Sequence, residues 1–212
     1  MKKLSFVFLF VFSTALVYGQ GLAFGLKGGL NFPSADALSI KDGISISDAQ
    51  GASGYHFGLF GRAKVSKIAV QPEVLYSFQS FDFKFTDVNL GGTTVYDAVQ
   101  KFHYLTVPVM LKVYLAAGVN VQVGPQFGFL MSSVQQDDIS GSITSSDIKD
   151  KLKGSDLGAN FGAGIDLPFG LDIHARYVLG LSDVNSLASS VTAVKNSMFQ
   201  VSIAYALADL GK

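Results

Sequence analysis

From Phe102 to Leu115 the chain reads FHYLTVPVMLKVYL, and from Leu105 onward every second residue is aliphatic: Leu105, Val107, Val109, Leu111, Val113 and Leu115. Thr106, Pro108, Met110, Lys112 and Tyr114 stand between them. Period-two alternation over this length predicts a β-strand with one wholly apolar face and one partly polar face. About ten residues is what a tilted strand needs to cross a bilayer. A proline and a lysine on the second face point to an enclosed, wet side.

The same pattern recurs along the chain. Leu22–Phe32 sets Leu22, Phe24, Leu26, Leu30 and Phe32 against Ala23, Gly25, Lys27, Gly29 and Asn31. Further alternating runs cover Tyr55–Val65, Ile68–Phe78, Val119–Met131, Asp156–Leu167, Leu171–Leu181 and Phe199–Leu207. With the opening stretch they make eight predicted strands. Ser66-Lys67 is short enough for a two-residue hairpin pairing Val65 with Ile68, both on the apolar side, so register and face agree. Beyond Ser80 the apolar phase moves by one to Phe81, Phe83 and Phe85, which suggests a bulge near Gln79. Pro72, Pro108 and Pro125 interrupt strands and are expected to mark further bulges as shaping elements.

Connections between the strands alternate long and short, the arrangement of a bacterial outer-membrane barrel with its even strand count. Both chain ends fall on the short-turn side, so termini and turns are expected in the periplasm and the four long loops outside. Ser132–Ser155 is the longest of these loops. The predicted fold is all-β: an eight-stranded antiparallel up-and-down transmembrane β-barrel over residues 20–212.

Composition sharpens the choice between lipid and water. Hydrophobic residues make up 49% of the 212 and charged residues only 15%, against roughly 25% charged in soluble domains. A soluble barrel keeps its apolar face inside. Here one face of every strand is almost purely Leu, Val, Ile, Phe and Tyr, while the other collects Gly, Asn, Gln, Ser and the strand-borne charges. In water the apolar face would far exceed the patch a monomer tolerates; in lipid it is required, and closure satisfies every backbone group. Lys2 and Lys3 followed by the apolar run Leu4–Val17 read as a secretory signal, with cleavage expected between Gly19 and Gln20. Its removal leaves 14 basic against 16 acidic residues, a balance without the basic footprint of a nucleic-acid partner. The chain has no cysteine, which excludes disulfides, thiolate catalysis, Cys-based metal sites and a lipoprotein anchor.

Eight strands enclose a lumen just wide enough for side chains to fill. Buried charges must be paired there, so Lys27, Arg62, Glu73, Lys112, Asp166, Asp172 and Arg176 are the expected structural ionic cluster. Counting depth along each strand places Glu73 between Arg62 and Lys112, and groups Asp166 and Asp172 with Arg176. His56 and His103 fall near the outer ends of neighbouring hairpins, with Asp97 a possible neighbour of His103. No serine motif accompanies them, so rim histidines are expected and no catalytic set is assigned. His174 is expected in the lumen near Asp166 and Asp172, without a metal. Asp137, Asp138 and the carboxylates of Asp147–Asp156 lack calcium-loop spacing. Phe81, Phe83 and Phe85 form a possible partner surface if the third strand runs on above the membrane beside Val95–Val99; an aromatic girdle at the interface is the other reading.

QPEVLYS (Gln71–Ser77), YLTVPVMLKVY (Tyr104–Tyr114), GPQFGFL (Gly124–Leu130) and RYVLGLSDV (Arg176–Val184) resemble the recurrent blocks of the PorT-like family of small outer-membrane β-barrels. The resemblance spans the mature chain in order and implies an architecture similar to the OmpA membrane domain and OmpX. One departure is Leu207, which stands where such barrels often end in an aromatic. The expected protein is a monomeric, non-enzymatic barrel in outer-membrane lipid, without cofactor. Its lumen is filled, and its structural or surface-interaction role is carried by the outer loops toward a possible protein partner. An accessory part of a secretion or surface-assembly complex is the first alternative, and a lipid-modifying enzyme the second.

Overall fold

The computed structural model describes residues 21–33, 53–89, 92–139, 142–147, 154–182 and 197–210. The expected signal peptide and the long connections around residues 34–52 and 183–196 lie outside the described residues. Among the described residues every element is a strand: β1 (Leu22–Pro33), β2 (Gly54–Val65), β3 (Ile68–Asn89), β4 (Gly92–Tyr114), β5 (Val119–Ile139), β6 (Ser142–Asp147), β7 (Ser155–Asp166), β8 (Leu171–Gly180) and β9 (Met198–Asp209). All pairings are antiparallel. The strands run in the order β4-β3-β2-β1-β9-β8-β7-β5-β6, and β4 also pairs with β5. That last pairing closes a ring of eight; β6 stands outside it, bonded to β5 alone.

Inside and outside follow the alternation. Along β8 the residues switch without exception between buried and exposed or half-buried. Leu26, Leu59, Val74, Val121, Phe161 and Ile203 are among many large apolar side chains left exposed on the outer wall. Lys27, Glu73, Gln71, Lys112, Asn160 and Arg176 are buried on the inner one. A protein folded in water cannot present this inversion; a bilayer supplies the apolar solvent that the wall needs.

The short turns lie at the end where Leu22 pairs with Ala63 and Ala23 pairs with Asp209. Val65 pairs with Ile68 across Ser66-Lys67, as the alternation predicted. Ser66 takes a left-handed φ of 55° there. The β4–β5 turn uses Ala117 (φ 50°) and Gly118 (φ 82°). A side chain at Gly118 would also collide with the carbonyl of Asp166, which its own backbone carbonyl binds through Asp166 N at 3.0 Å.

Three expectations are corrected. The hairpin of β3 and β4 keeps one register from Ile68↔Val113 to Asn89↔Gly92, so no bulge re-phases the chain at Gln79. The prolines also leave register unchanged. Pairing of β2 with β3 passes from Phe60↔Glu73 to Ala63↔Val70, and of β4 with β5 from Pro108↔Gln126 to Leu111↔Val123. The ladder is interrupted around Pro72, Pro108 and Pro125 because a donor is missing, but no residue is inserted. The register shifts fall elsewhere. One lies between His103 and Tyr104, where Met131 is the extra residue of β5, and one between Phe24 and Gly25, where Leu207 is the extra residue of β9.

The third correction concerns the outer loops. β3 has 22 residues, β4 23 and β5 21, against 12 in β1. β2 leaves β3 at Gln79 and β7 leaves β5 at Phe129. Beyond those points β3, β4, β5 and the added β6 form a four-stranded sheet that rises from one side of the rim. Ten further residues of β3 at about 3.3 Å each carry it roughly 30 Å past the ring along the strand. Much of the expected loop Ser132–Ser155 is therefore strand.

Candidate functional site: the lumen

The lumen holds polar side chains in layers. Gln71, Glu73 and Ser77 come from β3, Lys112 and Thr106 from β4, Asn120 and Gln122 from β5, Asp172, His174 and Arg176 from β8; all are buried. Period two on a wall that is apolar outside sends each of these inward. Glycine makes the space: a Cβ on Gly29 would stand 2.8 Å from His56 Cε1, and would meet the backbone of β9 as well.

Glu73 is the centre of the first ionic group. Arg176 donates from Nη2 to Oε1 at 2.6 Å and from Nη1 to Oε2 at 2.9 Å, a two-pronged grip. Lys27 Nζ donates to Oε2 at 3.0 Å and Gln71 Nε2 to Oε1 at 2.8 Å. The side chains of Glu73, Lys27 and Arg176 are sealed from solvent. β3 and β8 are diametrically opposed in the ring of eight, so the Glu73–Arg176 pair ties opposite walls.

Asp166, at the end of β7, is the centre of the second group nearer the short turns. It accepts from Lys112 Nζ at 2.8 and 2.9 Å, Arg62 Nη1 at 2.7 Å, Tyr114 Oη at 2.5 Å and Asn120 Nδ2 at 3.0 Å. The same Arg62 nitrogen reaches Asp172 Oδ2 at 2.7 Å. Arg62 on β2 and Asp166 on β7 again span the ring. Two glutamines join the groups. Gln71 accepts from Lys112 at 3.4 Å, and Gln122 accepts from Arg176 Nε at 3.0 Å while donating to Asn120 at 3.1 Å.

All seven residues singled out from the sequence are in the lumen, but they pair otherwise than depth-counting suggested. Glu73 does not sit between Arg62 and Lys112; its cations are Lys27 and Arg176. Arg62 and Lys112 serve Asp166, and Arg176 meets neither Asp166 nor Asp172 in an ion pair among the described residues. The reason is stagger: strands in a closed barrel are tilted and sheared, so equal counts from each strand end are not equal heights.

The histidines part company. His56 is buried in the lumen, its Nδ1 2.8 Å from Asn31 Oδ1 and its Nε2 2.9 Å from Ser202 Oγ. Asn31 Nδ2 donates to the backbone carbonyls of Tyr55 and Phe78, each at 3.2 Å, which fixes the amide and makes Oδ1 the acceptor. The proton of neutral His56 therefore belongs on Nδ1. His103 is instead on the outer wall, half-buried beside Tyr76 and Phe78. Asp97 is opposite Lys84 and Asp138, about 20 Å further along the strand. The rim grouping of His56, His103 and Asp97 does not exist, because position parity puts the two histidines on opposite faces.

Asp166, Asp172 and His174 each bring a ligand atom within 4.8 Å of the others. Among the described residues this is the group best placed to hold a metal, but Lys112 and Arg62 already occupy the carboxylates, and a divalent cation would have to displace them. Asp172 Oδ1 and His174 Nδ1 have no hydrogen-bond partner among the described residues.

A closed ring of eight antiparallel strands, apolar outside and ionic within, is an integral membrane β-barrel. The chain belongs to the outer membrane protein beta-barrel domain family, whose model matches residues 14–186, and it is thus a protein of the bacterial outer membrane. Solved structures similar to it include Neisserial surface protein A, at 12% identity and a TM-score of 0.45, covering 87% of this chain and 96% of that one. Ail, the attachment invasion locus protein of Yersinia pestis, is 15% identical with a TM-score of 0.43, covering 89% and 99%. A sequence search of curated proteins returned no match.

Proposed function

We infer that this barrel is a non-enzymatic surface protein whose closed wall anchors an interaction platform outside the outer membrane, and that it is not a general pore. The observation that carries the reading is the sealed lumen: Arg176, Lys112, Glu73, Gln71 and Asn31 are each at most 1% exposed. Single-channel recording in planar bilayers tests it; only brief, small events are expected, and steady large conductance would overturn it.

Residues 1–19 are its cleaved export signal in this reading, and the termini and short turns face the periplasm. The sheet of β3–β6 then rises on the cell-surface side. Ile68 to Phe78 covers roughly 25 Å of height at the usual tilt, the full apolar band of such barrels. Phe81, Phe83 and Phe85 belong to β3 beyond that band, roughly 8–18 Å higher by the same count. Their side chains lie outside the described residues. The height favours a partner surface over an interfacial girdle. The sequence blocks quoted above favour a PorT-like member within the family, which keeps an accessory role in a secretion or surface-assembly complex as the second reading. Co-purification from native membranes separates the two, since a stoichiometric envelope partner is expected only for the second.

A further inference from the structure

Among the described residues, polar side chains gather on the outer wall where the apolar band ends. His103 faces outward on β4, with ring centroids 5.0 Å from Phe78 and 5.9 Å from Tyr76. Tyr55 and Phe57 continue this patch, each 5.2 Å from its neighbour on β3. Tyr76 Oη lies 2.5 Å from His103 Nδ1. With the phenol donating, the remaining ring proton is on Nε2. The register sets Ser132 opposite His103, and the β5 shift at Met131 turns both Met131 and Ser132 outward. One rung higher, Lys101 pairs with Ser80. Lys101 has an interaction of its own.

Cross-strand neighbours have Cβ atoms about 5 Å apart and successive outward rungs are about 7 Å apart. An imidazole N–H, two hydroxyls and an ammonium group thus gather in an area of headgroup size, above a wall of Leu105, Val107 and Phe129. A cluster of hydrogen-bond donors matches a phosphate, and the wall beneath matches acyl chains. We propose that His103, Ser132, Ser80 and Lys101 form a docking site for the phosphate headgroup of an outer-leaflet lipid, with Tyr76 orienting the imidazole. The choice of leaflet rests on the orientation inferred above; the chemistry does not.

The test is native mass spectrometry of the detergent-folded barrel with phosphatidylglycerol and with a phosphate-free glycosyl diacylglycerol of equal chain length. Wild type is expected to retain the phosphate-bearing lipid preferentially. His103→Leu should lower that retention roughly ten- to a hundredfold, the scale of one hydrogen bond to a charged group, and Tyr76→Phe should lower it less. Phe199→Leu, on a distant part of the wall, should leave it unchanged. Equal retention of the two lipids by wild type, or undiminished retention by a folded His103→Leu barrel, overturns the site. The leaflet is tested separately. The chain has no cysteine, so an Asn89→Cys variant can be treated in whole cells with a membrane-impermeant maleimide. Labelling supports the outer leaflet; protection overturns the orientation while leaving the lipid measurement to stand or fall alone.

Discussion

Arg176 holds Glu73 with two parallel hydrogen bonds of 2.9 and 2.6 Å across the whole diameter of the barrel. Lys27 reaches the same carboxylate from β1, two strands away from β3 on the near side. One negative charge thus compensates two cations in a space sealed from water, and its loss leaves both uncompensated.

Glu73→Gln is therefore expected to cost about 3–5 kcal/mol, the range for breaking a buried ion pair from one side. Urea unfolding from lipid vesicles reads this directly. An unchanged midpoint would remove Glu73 from the centre of the lumen network.

The two aspartates near the short turns should differ. Asp166 accepts from two cations, a tyrosine and an asparagine, whereas among the described residues Asp172 has Arg62 alone and one oxygen without a partner. Asp166→Asn should destabilise by at least about 1 kcal/mol more than Asp172→Asn, since more charge-assisted bonds are lost. The reverse order in the same unfolding assay would show that Asp166 is not the hub.

The groups around Glu73 and Asp166 share Gln71 and Gln122 as connectors. In a double-mutant cycle, Glu73→Gln with Asp166→Asn should depart from additivity by roughly 0.5–3 kcal/mol. Additive losses would mean that the glutamines fill space without transmitting anything.

Depth on the outer wall can be read with arginine. Val74 is 49% exposed, roughly midway along the apolar stretch of β3, and Ile68 is at its short-turn end. Val74→Arg should cost about 2–4 kcal/mol and Ile68→Arg about 0–1. Equal costs would place the bilayer elsewhere on the wall.

Ser66 adopts a left-handed conformation, φ 55°, in the β2–β3 turn. Glycine reaches this region without penalty, though it gives the unfolded chain more freedom. Ser66→Gly should gain up to about 1 kcal/mol, seen as a higher unfolding midpoint; a loss would show that the Ser66 side chain contributes more than its backbone strain costs.

The barrel was legible because lipid enforces a rule that the sequence must obey. Outer-wall positions within the apolar band have to be apolar, so alternation marks the strands, and parity sends Lys27, Glu73 and Arg176 inward. Their partners were not legible. Glu73 meets Arg176 through a ring of eight whose shear no single strand reveals. The rising sheet was hidden for the opposite reason: above the bilayer nothing demands alternation, so SITSSD in β6 and QQDDI in β5 read as loop although they pair residue by residue. His103 was placed at a rim by its position along the strand, when its parity already assigned it to the outer wall.

Ring closure has a consequence for how the chain assembles. Within the ring, every ladder but one joins strands adjacent in sequence or separated only by the β6 hairpin. The exception pairs Leu26 with Tyr205 and Phe32 with Phe199. Chain entropy penalises that seam more than any hairpin, so β1 and β9 have reason to meet last, after the other strands are already zipped. The shift at Leu207 lies on this seam, at its short-turn end. A variant that weakens β1–β9 pairing should therefore slow completion of the barrel while leaving its early, hairpin-forming steps at their normal speed.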